Sequence, residues 1–236
     1  MGAVTAIAPG LDTRAQIVSA AERLFAAHGI EGVSLREINR AAGQRNASAL
    51  QYHFGDRAGL LRAVLEKHRA DTEPRRHALL DRYAVDGAPD TRSLVAALVL
   101  PLAGKLADPD GGRHYLQINA EVSTRPAFSA LIRSPDPANS MRRWHAVLDG
   151  VHPESGRAVL HWRVPAVRFA FVELARRASE RPRRDDRLFV SHLIDLVTAV
   201  LEAPVSPATE GLLRDARPSG TPPSTAPPGT PRRSAR

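Results

Sequence analysis

From Thr13 to His28 the apolar residues Ile17, Ala20, Ala21, Leu24 and Phe25 recur at spacings of three and four, which marks one buried face of a helix. Asp12 or Thr13 can cap its start, and Gly29 stands where a left-handed terminating residue belongs. Ser34-Leu-Arg-Glu follows, a Ser-x-x-Glu capping box in which hydroxyl and carboxylate satisfy orphan backbone amides reciprocally. It opens a short helix over about 35–41 that buries Leu35, Ile38 and Ala42, and Ala41-Ala42-Gly43 predicts a tight turn. A third helix is expected over about 46–53, starting at Asn46 or Ala47. Gly55-Asp56 breaks it, and Asp56 caps a long fourth helix carrying Leu60, Leu61, Val64 and Leu65.

After Pro74 the helical period continues through about 91–106, 112–123, 126–133, 137–149, 153–180 and 186–202. No alternating run is long enough for a sheet, so the expected fold class is all-α. The last 34 residues break the pattern: from Ala203 on, eight Pro lie among Ser, Thr, Gly and Arg, and no apolar period survives. Such a segment cannot bury enough to offset its ordering entropy, and it is expected to be disordered. The division is therefore 1–10 flexible, 11–70 a small helical domain, 71–202 a larger helical domain and 203–236 a basic Pro-rich tail.

Composition narrows the chemistry. With no Cys there is no disulfide, thiolate metal site or Cys nucleophile. The longest uninterrupted apolar run, Leu94 to Ala103, includes a Pro and is half of what a membrane span needs. Met1 to Gly10 lacks the basic flank of a signal peptide, so a cytoplasmic protein that does not enter a membrane is expected. The net charge of +8 is uneven, with +3 in residues 1–70, +2 in 71–202 and +3 in 203–236. Basic ends favour a polyanion, although solubility alone accounts for them equally well.

Two short helices joined by a Gly-containing turn, with a longer helix on either side, make a helix-turn-helix. The second short helix reads Gln44-Arg-Asn-Ala-Ser-Ala-Leu-Gln-Tyr-His-Phe54. Leu50 and Phe54, at i and i+4, can pack inward. Arg45, Asn46, Ser48, Ala49 and Gln51 are then left for a major groove about 12 Å wide. There Arg can fork onto guanine and Asn or Gln can pair with adenine. A helical hairpin with a polar outer face is the alternative.

Gly29-Ile-Glu-Gly-Val-Ser-Leu-Arg-Glu-Ile, then Ala42-Gly43, then Tyr52-His-Phe-Gly-Asp-Arg-Ala-Gly-Leu-Leu together resemble the DNA-binding domain of the TetR family. The resemblance covers about residues 13–67. It implies an all-helical homodimer, with an N-terminal three-helix reader and a larger C-terminal domain that binds a small effector. One departure stands out: the family has nine residues between the turn Gly and the Phe of the Tyr-x-Phe element, whereas ten lie between Gly43 and Phe54. The extra residue shifts base-contact register by about one position. The resemblance also implies that Ser34, Gln44, Tyr52, His53 and Arg57 sit at the DNA, with the Ser34 hydroxyl, Tyr52, His53 and Arg57 near phosphates. Such contacts position a reader without choosing sequence. His53 reads equally well as a partly buried side chain.

Two late segments carry apolar residues on two sides. In the last one, Phe189, Leu193, Leu196 and Val200 form one stripe and Val190, Ile194, Val197 and Leu201 another. In 153–180, Leu160, Val164, Val167, Phe171 and Leu174 lie on one side with Trp162, Ala166, Phe169 and Val172 nearby, and Pro165 is expected to kink the helix. A second stripe implies a second partner, and by resemblance these two helices build a four-helix dimer interface that includes Phe171, Leu174, Phe189, Leu193, Leu196 and Val200. Two-fold symmetry then fits a pseudo-palindromic operator in double-stranded DNA. For the effector pocket, Tyr115, Asn119, Trp144, His145 and Phe169 combine apolar walls with polar handles, and core roles with satisfied polar tips compete with that reading.

The nine His residues, Asp108-Pro-Asp and His152-Pro-Glu invite an enzyme, but no His-Glu-x-x-His, Gly-x-Ser-x-Gly or Walker loop occurs. No catalytic residue, metal or cofactor is expected. A helical interaction protein that has lost DNA reading or ligand response is the remaining alternative. The leading expectation is a ligand-released, DNA-binding transcriptional repressor.

Overall fold

A computed structural model describes residues 9–44, 46, 48–87, 89–128, 139–151 and 156–215; within these, the side chains of 9–12, 156–163, 213 and 214 are outside the description. Every regular element among the described residues is helical, so the chain is all-α. The helices are α1 (Pro9–His28), α2 (Leu35–Ala41), α3 (Ala49–Phe54), α4 (Arg57–Val85), α5 (Thr91–Ala103), α6 (Gly112–Thr124), α7 (Ser140–Val151), α8 (Gly156–Ser179), α9 (Arg187–Glu202) and α10 (Pro207–Asp215). Short 3-10 turns follow α5 at Gly104–Leu106 and α6 at Pro126–Phe128.

α1 begins at Pro9, earlier than the expected cap; a proline is tolerated in a first turn, where its missing N–H has no intrahelical role. Its apolar face packs inward through Ile17, Ala20, Ala21 and Phe25, and Gly29 terminates it at φ +80° with its N–H on the Phe25 carbonyl. The Ser34–Glu37 capping box starts α2 as expected, and the Asp56 carboxylate accepts from the Gly59 N–H at 2.7 Å to start α4.

α4 differs from expectation. It runs 29 residues straight past Pro74, so the expected division at residue 70 falls inside one helix. Proline removes one ladder bond and bends a helix, yet buried contacts on both sides of it, through Thr72, Arg76 and Leu80, hold the turns together. α5 is buried continuously from Leu94 to Val99, and a helix apolar all round belongs in the middle of a core. α4, α7, α8 and α9 pack around it, and α6 lies against α8, α1 and α4.

Residues 203–236 form a unit of their own. The expectation of disorder fails over Pro207–Asp215, which is helical. Here Pro-rich composition hides a good helix start: the Ser206 hydroxyl accepts from the Thr209 N–H at 3.3 Å, Pro207 opens the first turn and Glu210 lies in it.

Candidate nucleic-acid interface

The turn after α2 is built from backbone bonds: Ala42 N–H to Ile38 O at 2.9 Å, Gly43 N–H to Arg40 O at 3.0 Å and Gln44 N–H to Asn39 O at 3.1 Å. Gly43 sits at φ +70°, a conformation a side chain disfavours. From there the chain does not enter a helix at once. The Asn46 carboxamide oxygen accepts from the Ser48 N–H at 2.9 Å and the Ser48 hydroxyl at 2.6 Å, while the Asn46 carbonyl accepts from the buried Asn39 side chain at 2.8 Å. This local bonding competes with helix formation, so α3 begins at Ala49 rather than at Asn46 or Ala47. The extra residue between Gly43 and Phe54 thus falls before a helix of only six residues.

Within α3, Leu50 is buried and Phe54 half-buried, with the Arg14 guanidinium 5.4 Å from the Phe54 ring centroid. Ser48, Gln51 and Tyr52 face outward, as does Asn46 just before the helix, and Ala49 is half-exposed. Tyr52 is 85% exposed, an unusual position for an aromatic ring. His53 is half-buried with its ring edge-on to Tyr52, between the two alternatives left for it.

Three expected contacts are already engaged within the protein. The Gln44 amide donates to Gln16 at 2.9 Å and to the Ala42 carbonyl at 3.2 Å, which draws it away from any base. The Ser34 hydroxyl donates to Glu37 at 2.7 Å, so its proton is taken by the capping box rather than offered to a phosphate. Those Ser34 hydrogen bonds hold the Glu37 carboxyl below the usual carboxylate range. The Arg57 guanidinium donates to the Ile30 carbonyl at 2.5 Å, tying the start of α4 to the loop after α1. Arg45 lies outside the described residues.

Sequence reasoning passed over Arg36 and Arg40. Both are exposed on α2 and, with Gln51 of α3 and Asn39 below them, line a cleft of about 410 Å³. Their i, i+4 spacing on the polar face of α2 was a usable signal.

In the body, Trp144 is fully buried and donates its indole N–H to the Leu94 carbonyl at 2.6 Å, which is the core alternative. Tyr115 is buried and stacked on His68 at 4.5 Å, and burial pushes its phenol up. Asn119 is buried one turn further along α6, while His145 and Phe169 are half-buried. The groove of about 440 Å³ between α4 and α5 has Arg75, Leu79, Arg82, Leu100 and Pro101 in its lining and none of these five.

The dimer stripe is corrected in part. Phe171, Leu174 and Leu193 are buried within their own protomer, with Leu174 at 0% exposure, and have little or no surface to give to a partner. Phe189 and Val200 are half-buried. Among the described residues of α8 and α9, the large apolar side chains left outside are Leu196, Val164 and Val172, all on the expected apolar sides, and Leu188, which was not. Spacings of eight residues place Val164 with Val172 on one face of α8 and Leu188 with Leu196 on one face of α9.

A model of the family described as bacterial regulatory proteins, tetR family, matches residues 17–64. The HTH-type transcriptional repressor Rv1474c of Mycobacterium tuberculosis is 32% identical over 137 residues, which are 55% of this chain and 69% of that protein. The HTH-type transcriptional repressor AcnR of Corynebacterium glutamicum is 29% identical over 122 residues, 50% of this chain. The match spans only 55% of AcnR's own length. Among solved structures, a TetR-family transcriptional regulator from Rhodococcus sp. aligns over 80% of this chain and 99% of its own, at 20% identity and a TM-score of 0.46.

Proposed function

The chain belongs to the tetR family of bacterial regulatory proteins, and from that premise we propose that it binds double-stranded DNA through α2 and α3 and represses transcription. The observation that carries this reading is the outward row Ser48, Gln51 and Tyr52 beside the exposed Arg36 and Arg40. Small polar groups suit a groove floor, and two guanidiniums beside them suit its phosphate walls. Asn46 and Ser48, bonded to each other, act as one preorganised unit at the mouth of α3. Arg45 and Ala49 belong to the same reading window.

The protein acts as a homodimer joined through the outer faces of α8 and α9, so that two readers meet half-sites about 34–36 Å apart on a pseudo-palindrome. A small-molecule effector releases it by binding the two states of the dimer unequally. It works in the cytoplasm on chromosomal DNA; among the described residues no helix is long and apolar enough to cross a membrane. Selection of genomic fragments by the purified protein tests the reading. An enriched, two-fold symmetric sequence is expected, and recovery of fragments in proportion to their input would refute it.

A further inference from the structure

Two exposed side chains just ahead of α3 hold each other in one hydrogen-bonding state. The Asn46 carboxamide meets the Ser48 N–H at 2.9 Å and the Ser48 hydroxyl at 2.6 Å. A backbone N–H only donates, so the carboxamide atom it meets is the oxygen and not the nitrogen. The Ser48 hydroxyl proton goes to that same oxygen. Both lone pairs of Asn46 Oδ1 are thereby filled, and Ser48 has no proton left to give. The backbone beneath is pinned as well. The Asn46 carbonyl accepts from the Ala49 N–H at 3.2 Å and from the Asn39 side-chain amide at 2.8 Å, and Asn39 is only 6% exposed.

What faces outward is one-sided chemistry. Asn46 offers only the two N–H groups of Nδ2, and Ser48 offers only the lone pairs of its oxygen. An asparagine with both ends free pairs with adenine by giving a hydrogen bond to N7 and taking one from N6. Asn46 has no acceptor left for the second bond. Turning the carboxamide over would set its N–H groups against the Ser48 N–H, donor against donor, and leave that amide without its partner. Across the major groove a G·C pair presents two acceptors, guanine N7 and O6, and then one donor, cytosine N4. Two N–H groups followed by a lone pair complement that row throughout. At an A·T pair the second N–H meets the N6 donor and the lone pair meets the thymine O4 acceptor.

We infer that Asn46 and Ser48 together select one G·C pair in each half-site, with guanine toward Asn46 and cytosine toward Ser48, and that Asn46 is not an adenine reader. The inference rests on the proposed DNA binding and adds the base that this part of the surface chooses. The first residues of a recognition helix are the ones that meet base edges, which is where this pair stands. The choice is made in the protein before DNA arrives, because the acceptor of Asn46 and the proton of Ser48 are already spent on each other.

Selection of duplexes from a random library by the full-length protein and its variants tests this. Each variant is first checked by circular dichroism for unchanged helicity. Wild type should enrich a G·C pair whose preference disappears in Asn46→Ala. Asn46→Asp is the decisive substitution. Its carboxylate still accepts both Ser48 bonds, but an oxygen replaces the outward Nδ2, so guanine should lose to cytosine at that pair by a swing of about tenfold or more. The added negative charge weakens binding to every sequence alike, and the ratio between the two bases is therefore the readout. Ser48→Ala returns a lone pair to Asn46 Oδ1, so adenine should become acceptable there. Gln51→Ala, at an exposed position three residues after Ser48, should alter a different base pair. In the selected duplex, 7-deazaguanine at the chosen guanine should weaken wild type about fivefold and leave Asn46→Ala unmoved. A wild-type preference for A·T at the Asn46-dependent pair, or an Asn46→Asp variant that binds all sequences more weakly with the guanine-to-cytosine ratio unchanged, overturns the inference alone. Enrichment of no duplex overturns the DNA reading and takes the inference with it.

Discussion

Glu37 does two things through one carboxylate: it receives the Ser34 N–H at 2.7 Å, and its lowered pKa makes that contact acid-sensitive. A carboxyl held below its unfolded value of about 4.3 contributes its full stability above that value and loses it as pH falls through the lower folded one. Wild type should therefore melt above Glu37→Gln at pH 7, and the gap in Tm should close as pH is taken below about 4. Arg57 belongs to the same scale. Its bond to the Ile30 carbonyl is charge-assisted and half-buried, so Arg57→Ala should cost about 1–2 kcal/mol in a denaturant melt. A lone phosphate contact would leave that melt unmoved and lower only the salt dependence of DNA binding.

At the scale of the element, α3 is six residues long, and the row proposed to read DNA occupies one short face of it. Tyr52 is the sharpest probe of that face. At 85% exposure its removal should shift stability by no more than about 0.5 kcal/mol, while Tyr52→Ala should weaken duplex binding measured by fluorescence anisotropy. Much of the reader could be read from its residues in advance: the apolar period of α1, the Ser34–Glu37 box and the Asp56 cap are all local signals, and each stands where it was expected. The start of α3 was hidden because Asn46 can cap a helix or form a turn with its own neighbour, and Asn39 reaching it from α2 is a contact that sequence spacing cannot show. Pro74 misled in the opposite direction: proline punctuates weakly where flanking turns are buried. The engaged state of Gln44 depends on Gln16, 28 residues away, and no local pattern reports it.

For the whole molecule, the two-sided character of the last helices was legible while the side facing outward was not. Leu193 and Leu196 belong to the same periodic stripe, yet one is buried and the other 42% exposed, because packing against α5 and α8 settles the rotation of α9. Leu196→Asp should therefore disrupt a dimer while leaving the protomer folded, seen as a halved mass by light scattering with unchanged helicity. Leu193→Asp places a charge in the core and should unfold the protomer instead.

Of the 33 basic residues only Lys67 and Lys105 are lysines, and both are held by carboxylates, Lys67 by Glu22 and Asp110 and Lys105 by Asp71 and Asp108. Arginine does not react with mild acylating reagents at neutral pH, so the surface is chemically silent toward them. Side-chain amine labelling followed by mass spectrometry would then act as a built-in gauge: the rate at which these two nitrogens are tagged reports how firmly the carboxylates around them hold.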